Sequence, residues 1–264
     1  MLELIDLCKT FHPGTVNQKT ALCGLNLTIN DGDFITVIGG NGAGKSTLLN
    51  AIAGVFPLDG GKVVIDGTDV TNTSEYRRAK FLGRVFQDPM TGTAGNMQIE
   101  ENLALAARRG KPRGLRWGIT KKEREAYRAM LAEFHLELED RMTTKVGLLS
   151  GGQRQAITLL MATISRPKLL LLDEHTAALD PKTAQKVLEL TQKITEEKQI
   201  TTLMITHNMA DAIRMGNRLI MMHRGSVVYD VAGKEKAALT VKDLLNKFEE
   251  TVGAGLDNDR MLLG

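Results

Sequence analysis

The sequence predicts an α/β fold, on three observations. Short β-rich runs in the first seventy residues give way at Lys45 to a helical apolar stripe. Two later apolar runs, KLLLLDE and ITTLMITH, read as buried parallel strands. A helix-forming segment separates them, so strand and helix alternate as an α/β sheet requires. The 264 residues allow one large domain or two modest ones, and 42% hydrophobic with 25% charged residues is an ordinary globular balance.

Each element has its own signal. LELIDL, ALCGLNLTI, DFITVIG and GKVVIDG are punctuated by turn residues, including HPG and the Asp31-Gly32 step, and read as strands. In KSTLLNAIAGVF, Leu48, Leu49, Ile52 and Ala53 share one helical face. From about Ile99 to Met161 the pattern is mostly helical. There Thr120 and Glu123 form a T-x-x-E capping box ahead of a core stripe of Tyr127, Met130, Leu131 and Phe134. Pro181 after Asp180 opens the helix between the two apolar strands. Asn208 and Asp211 mark another helix start, RLIMMHRGSVVYD a closing strand pair, and Thr240 with Asp243 a last amphipathic helix around Leu244, Leu245 and Phe248. Residues 251–264 are expected to form a loose tail.

Bulk composition excludes some functions. Lys plus Arg at 34 against Asp plus Glu at 31 gives +3, too little to argue for nucleic acid. Cys8 and Cys23 lack CxxC spacing and a nearby histidine cluster, which points to a reduced structural role and favours the cytosol. MLELIDLCKT has no basic leader followed by a long apolar run, and no stretch of about 18 uninterrupted apolar residues occurs. Membrane work is therefore expected to fall to a partner.

The chemistry-bearing motifs are phosphate loops and strand-end acids. Gly39, Gly44, Lys45 and Ser46 fit GxxxxGK followed by Ser or Thr, between a strand and a helix. The backbone of Gly39, Gly40, Asn41, Gly42, Ala43 and Gly44 would wrap the phosphates of a nucleotide. Lys45 would reach the β- and γ-phosphates, Ser46 would hold Mg2+, and Thr47 closes the segment. A second anion-receiving helix start lies in LSGGQRQA, at Ser150, Gly151, Gly152 and Gln153. LLLLDE ends a buried strand with Asp173 and Glu174, whose side chains point to opposite faces if the extended conformation persists. Asp173 would then help hold Mg2+ through its water shell, and Glu174 would orient or deprotonate an attacking water. Each Gly-rich loop occurs once, which implies one nucleotide module per chain.

GGNGAGKS, Gln87 in RVFQDP, LSGGQRQA, LLLLDEHTAALD and ITHN follow one another in an order that resembles ABC-transporter ATPase subunits over nearly the whole chain. LSGGQ is the most specific of these. The resemblance implies a P-loop NTPase fold with a RecA-like core, an N-terminal antiparallel β-subdomain and an α-helical subdomain at about residues 90–160, all within one domain spanning 1–250. It implies ATP and Mg2+ as cofactors, and a homodimer packed head to tail. Each ATP would then lie between the lysine loop of one chain and the Ser150–Gln153 segment of the other, so one chain supplies two half-sites.

The same resemblance assigns Gln87 to sensing Mg2+ and the attacking water, and His207 to contacting the γ-phosphate. Asp180 would signal between sites, with Ala178 where Ser is more usual. Phe11 in CKTFHPG occupies the place of an adenine-stacking ring, the alternative being strand-end core. His12, His135, His175 and His223 read as surface or packing residues, and His175 stands where many relatives have Pro. The segment from Arg108 to Arg124 carries eight basic residues against one acid, Glu123. It reads as a solvated face or, functionally, as contact with anionic lipid or an acidic permease surface, with Trp117 at the interface. Partners implied are a membrane permease and a substrate-binding lipoprotein, with no nucleic acid, at the cytoplasmic face of the membrane. Uptake of an amino acid is the expected task; export, or a soluble assembly or switch ATPase, are the alternatives.

Overall fold

The computed structural model describes residues 1–111 and 118–252. In chain order the elements are β1 (Leu2–Phe11), β2 (Lys19–Ile29), β3 (Phe34–Ile38), α1 (Lys45–Ala53), β4 (Gly60–Ile65), β5 (Thr68–Asp69), α2 (Glu75–Arg78) and β6 (Leu82–Val85). They continue with α3 (Ile99–Ala107), α4 (Lys121–Ala132), α5 (Gly151–Thr163), β7 (Leu169–Asp173), α6 (Pro181–Lys198) and β8 (Thr201–Ile205). The last are α7 (Met209–Arg214), β9 (Arg218–His223), β10 (Ser226–Ala232), α8 (Gly233–Ala237) and α9 (Val241–Val252). The α/β class holds. Two compact units form, one from Met1–Phe81 with the chain from Thr201 onward, the other from Leu82–Ile200.

The first unit contains two sheets. Strands β2, β1, β4 and β5 pair antiparallel in that order, as alternating in-and-out patterns such as that of β2 require. Strand β3 lies between β8 and β9 and runs parallel to both, while β10 pairs antiparallel with β9. Every residue of β3 and β8 is buried, which explains their unbroken apolar runs. Leu48, Leu49, Ile52 and Ala53 of α1 are buried as their spacing predicts. The closing amphipathic helix packs Leu244 and Phe248 into a core with Ile38, Met209, Ala212 and Met221, and Leu245 lies partly buried against it.

One fixture of this unit has no signal in the sequence. Arg78, on the single-turn helix α2, is only 1% exposed. Its guanidinium donates to the carbonyls of Ala51 and Ile52 at 2.8 and 2.9 Å, at the end of α1. It also donates to those of Thr73 and Thr71, at 2.9 and 2.8 Å. A planar fork of donors thus serves the Ile52 carbonyl at the helix end and adds a second donor to that of Ala51, which also accepts from the Gly54 amide at 3.2 Å.

In the second unit β6 and β7 pair in parallel, and α3, α4, α5 and α6 surround them in the chain. The Thr120–Glu123 capping box is present, and Tyr127, Leu131 and Phe134 are buried, while Met130 is only partly so. Asp180 caps α6 with Pro181 in its first turn. Half of the basic segment's described cations are spent within the unit. Arg109 donates to the Ala162 carbonyl and the Ser165 hydroxyl, Arg124 pairs with Glu100 through two bonds of 2.6 and 2.8 Å, and Arg108 pairs with Glu123. Arg113, Arg116 and Trp117 lie outside the described residues, as does the expected 251–264 tail from residue 253 on; residues 251 and 252 instead end α9.

Replacing Arg78 with Met should remove the guanidinium donors from the Ile52, Thr71 and Thr73 carbonyls, leave Ala51 only the Gly54 amide, and cost about 3 kcal/mol or more. Urea denaturation reads this as a lowered midpoint; an unchanged midpoint would show that other donors serve those carbonyls.

Candidate functional site

In the first unit the phosphate loop is shaped by main chain before any side chain acts. Gly39, Gly42 and Gly44 take φ values of 150°, 76° and 101°, open to glycine and strained for other residues. A Cβ on Gly39 would come 2.3 Å from the Met222 carbonyl oxygen, and one on Gly44 2.5 Å from that of Ala21. Strand β2 and the β9–β10 turn therefore wall the loop. The Gly225 amide, in that turn, donates to the Ala43 carbonyl at 2.9 Å.

Helix α1 begins at Lys45, so its first amides have no intrahelical acceptors and present a positive pole to an anion. Lys45 is buried, and its Nζ donates to the carbonyls of Gly39 and Gly40 at 2.6 and 3.1 Å. Asn41, Gly42 and Ser46 are exposed and Thr47 is half-buried.

His207 leaves the sheet at the same edge as this loop. Val37 of β3 aligns with Ile205 of β8, and the Thr206 amide donates to the Val37 carbonyl at 3.2 Å. The next residue is His207, half-buried, followed by Asn208, which caps α7 by accepting from the Asp211 amide at 3.0 Å. Phe11 ends β1 with its ring edge-to-face on Phe56 at 5.3 Å. Lys9 sets its ammonium over both rings, at 5.6 and 5.5 Å, and is held there by Asp59 at 2.9 Å. Phe11 is itself half-buried, so part of the ring stays open.

The second unit carries the remaining candidates. Ser150 caps α5: its hydroxyl accepts from the Gln153 amide at 3.3 Å, and the Gln153 side chain accepts from the Ser150 amide at 3.2 Å. The SGGQ segment is thus a capping box with two glycines inside it. Arg154 draws together the carbonyls of Val146, Gly147 and Leu149, fixing the approach to the helix. Ser150 and Gly151 are exposed, whereas Gly152 is buried; a Cβ there would sit 2.1 Å from Cγ2 of Thr183 on α6. Asp180 caps α6 beside it. Hydrogen bonds from Thr183 hold its carboxyl below the usual range, and the Thr183 amide lies at 3.1 Å.

Asp173 and Glu174 do not sit in one extended run. Strand β7 ends at Asp173, and Glu174 takes a left-handed φ of 47°. The extended conformation on which pleat alternation depends therefore does not persist; a left-handed turn at Glu174 replaces it. Such a conformation in a non-glycine residue is held by its surroundings and clusters at working sites. The Glu174 carbonyl accepts from the Ala177 amide at 3.0 Å, which starts a turn. Strand β6 runs parallel to β7 with Val85 opposite Leu172, so Gln87, exposed two residues beyond β6, emerges at the same edge as the acids. Arg84, stacked 4.4 Å from the Phe86 ring, comes within 3.9 Å of Asp173.

His175 is a packing residue. It is 3% exposed, its Nε2 lies 3.1 Å from the Thr191 hydroxyl, and burial pushes its pKa down to about 4. The hydroxyl of Ser46, the carboxylate of Asp173 and the amide oxygen of Gln87 are hard oxygen donors of the kind Mg2+ takes. Sequence reasoning missed Lys9, Phe56, Arg84 and Thr183, whose roles depend on neighbours distant in sequence or on packing between helices, and Arg154, whose carbonyl acceptors lie in the turn just before its own helix.

The chain is similar to known proteins along most of its length. The ABC transporter family model matches residues 22–177. A tyrosine transport ATP-binding protein of Clostridioides difficile is 47% identical over 252 residues, 96% of this chain and 100% of that protein. The spermidine/putrescine import ATP-binding protein PotA of Haemophilus ducreyi is 37% identical over 89% of this chain, which spans 59% of that longer protein. Among solved structures, the dimeric bacterial ABC transporter cassette MJ0796 aligns with a TM-score of 0.75 at 30% identity, covering 88% of this chain and 98% of that one. Its dimeric post-hydrolysis form bound to ADP and Pi aligns equally well, with a TM-score of 0.75 at 31% identity over 88% of this chain and 98% of that one.

Two outcomes follow from the packing around α5 and β7. Gly152→Ala should lower the thermal midpoint, and adding Thr183→Ser, which deletes the obstructing methyl, should recover most of the loss; no recovery would place the clash elsewhere. Because burial lowers the His175 pKa to about 4 from 6.5, the unfolded chain binds the extra proton first as pH falls. Its contribution is present in full above pH 6.5 and drains away toward pH 4, by up to about 3 kcal/mol. Denaturant titrations across this window should show a smaller pH slope in His175→Leu; equal slopes would refute the assignment.

Proposed function

The chain belongs to the family of ABC transporter ATP-binding subunits, and from that premise we propose that it energises uptake of an amino acid through separate membrane permease subunits, as a head-to-tail homodimer. It is an ATPase, as the family is. The observation that carries the transport reading is the 47% identity along the full length of a tyrosine transport ATP-binding protein. The solved dimeric cassettes support the dimer.

In this reading the loop amides of residues 39–44, with Lys45, Ser46 and Thr47, hold the phosphates of ATP, and Phe11 stacks on the adenine. Lys45 donates to the Gly39 and Gly40 carbonyls, and an anionic phosphate binds an ammonium more strongly than such neutral acceptors do. Ser150 and the Gly151 and Gly152 amides, with Gln153 completing the capping box, meet the γ-phosphate of the nucleotide held by the partner chain. ADP offers them nothing, so nucleotide state sets whether the dimer is closed. Glu174 orients or deprotonates the attacking water, His207 contacts the γ-phosphate, Gln87 senses the water, and Asp180 couples the two sites.

Mg2+ would be held by Ser46, Asp173 and Gln87 and would neutralise charge on the phosphates. The residues span one catalytic domain, 1–250, at the cytoplasmic face of the membrane, where the permease and a substrate-binding lipoprotein complete the system.

Glu174→Gln should keep ATP bound and stall hydrolysis, by at least about a hundredfold; turnover at the normal rate removes Glu174 from its role. Tagged chain purified from solubilised native membranes should bring down a polytopic permease. Recovery with soluble partners alone would overturn the transport reading while leaving the ATPase intact.

A further inference from the structure

We propose that Lys19 is a second cationic contact for the nucleotide's polyphosphate, supplied by the β1–β2 hairpin. This rests on the reading of residues 39–47 as the phosphate cradle. Lys19 opens β2, and its Nζ lies 3.2 Å, its Cε 3.9 Å, from the point a Cβ on Gly42 would occupy. The ammonium is thus laid directly on the phosphate loop.

Its place there is set by main chain. Two residues further along β2, the Ala21 carbonyl abuts Gly44, so the strand runs alongside the loop and carries Lys19 to Gly42. On the neighbouring strand Lys19 pairs with Phe11, the ring assigned to adenine. Lys19 therefore stands between the base end and the phosphate end of the nucleotide.

The chemistry fits a phosphate. Lys19 is exposed, and among the described residues no ion pair engages its charge. Lys45 is buried against the Gly39 and Gly40 carbonyls and is a single cation facing a ligand with several negative charges. A lysine is a point charge on a flexible stem, able to follow a phosphate without fixed geometry. Because it is exposed, salt should weaken its effect.

Calorimetric binding of ATP, ADP and adenosine, in EDTA so that no turnover occurs, tests this with Lys19→Gln, Lys19→Glu and Lys45→Ala. Lys19→Gln should weaken ATP and ADP by about three- to tenfold, Lys19→Glu by more, with adenosine unaffected and the loss shrinking as salt rises. Unchanged ATP affinity in Lys19→Gln, with binding lost in Lys45→Ala, overturns the role of Lys19 alone. An equal loss for adenosine overturns it too, making Lys19 a support for the Phe11 ring. Full ATP affinity in Lys45→Ala would instead contradict the cradle reading beneath it.

Discussion

The closeness of main chain to main chain around Gly39 and Gly44 is the constraint on which the nucleotide-binding half of the molecule depends. The atoms that a Cβ would strike are carbonyl oxygens of Met222 and Ala21, which no rotamer change can move aside. The loop is therefore fixed by its walls: β2 on one side, the β9–β10 turn on the other, and β3 beneath. A cradle shaped in this way has its amides aligned before a ligand arrives, which lowers the ordering cost of binding a phosphate. The placement of Lys19 and of His207 follows from β2 and from β8, the parallel neighbour of β3, one entering the loop's flank and the other leaving the sheet at its edge.

The second unit prepares an anion-facing helix start by different means. There the helix is closed by a reciprocal Ser150–Gln153 box, steadied by Arg154, and pressed so tightly on Thr183 that a side chain at 152 would meet its methyl. The same contact brings the start of α5 against the start of α6, whose cap is Asp180. A residue credited with signalling between sites and the segment credited with reaching a partner's phosphate are thus joined by one steric contact. Glu174, held in a left-handed conformation at the end of β7, adds a local strain that its neighbours must maintain.

Much of this was legible in the sequence because motif and periodicity are local. GGNGAGKST sat between a strand pattern and a helix pattern, and the pairs Thr120–Glu123 and Asn208–Asp211, with Pro181 after Asp180, announced helix starts that the structure contains. What sequence could not reveal depends on residues far apart in the chain. Arg78 gives no hint that it closes the end of α1, because its acceptors lie some 27 positions away. Asp173 and Glu174 read as one extended pair because pleat alternation is the default at a strand end, and only the backbone shows the left-handed turn. His175 could be narrowed to packing or surface, but its complete burial against Thr191 required the position of α6.

The central claim is that a nucleotide pocket is finished only by a second copy of the chain. The direct measurement mixes two variants, one with Lys45→Ala and the other with Ser150→Arg, and follows ATP hydrolysis and molecular mass. Each should be inactive alone, and together they should form ATP-dependent mixed dimers and regain turnover, since one composite pocket unites an intact lysine loop with an intact Ser150 segment. Full activity of the Ser150→Arg chain by itself, or no gain in activity or mass at any mixing ratio, would contradict the account.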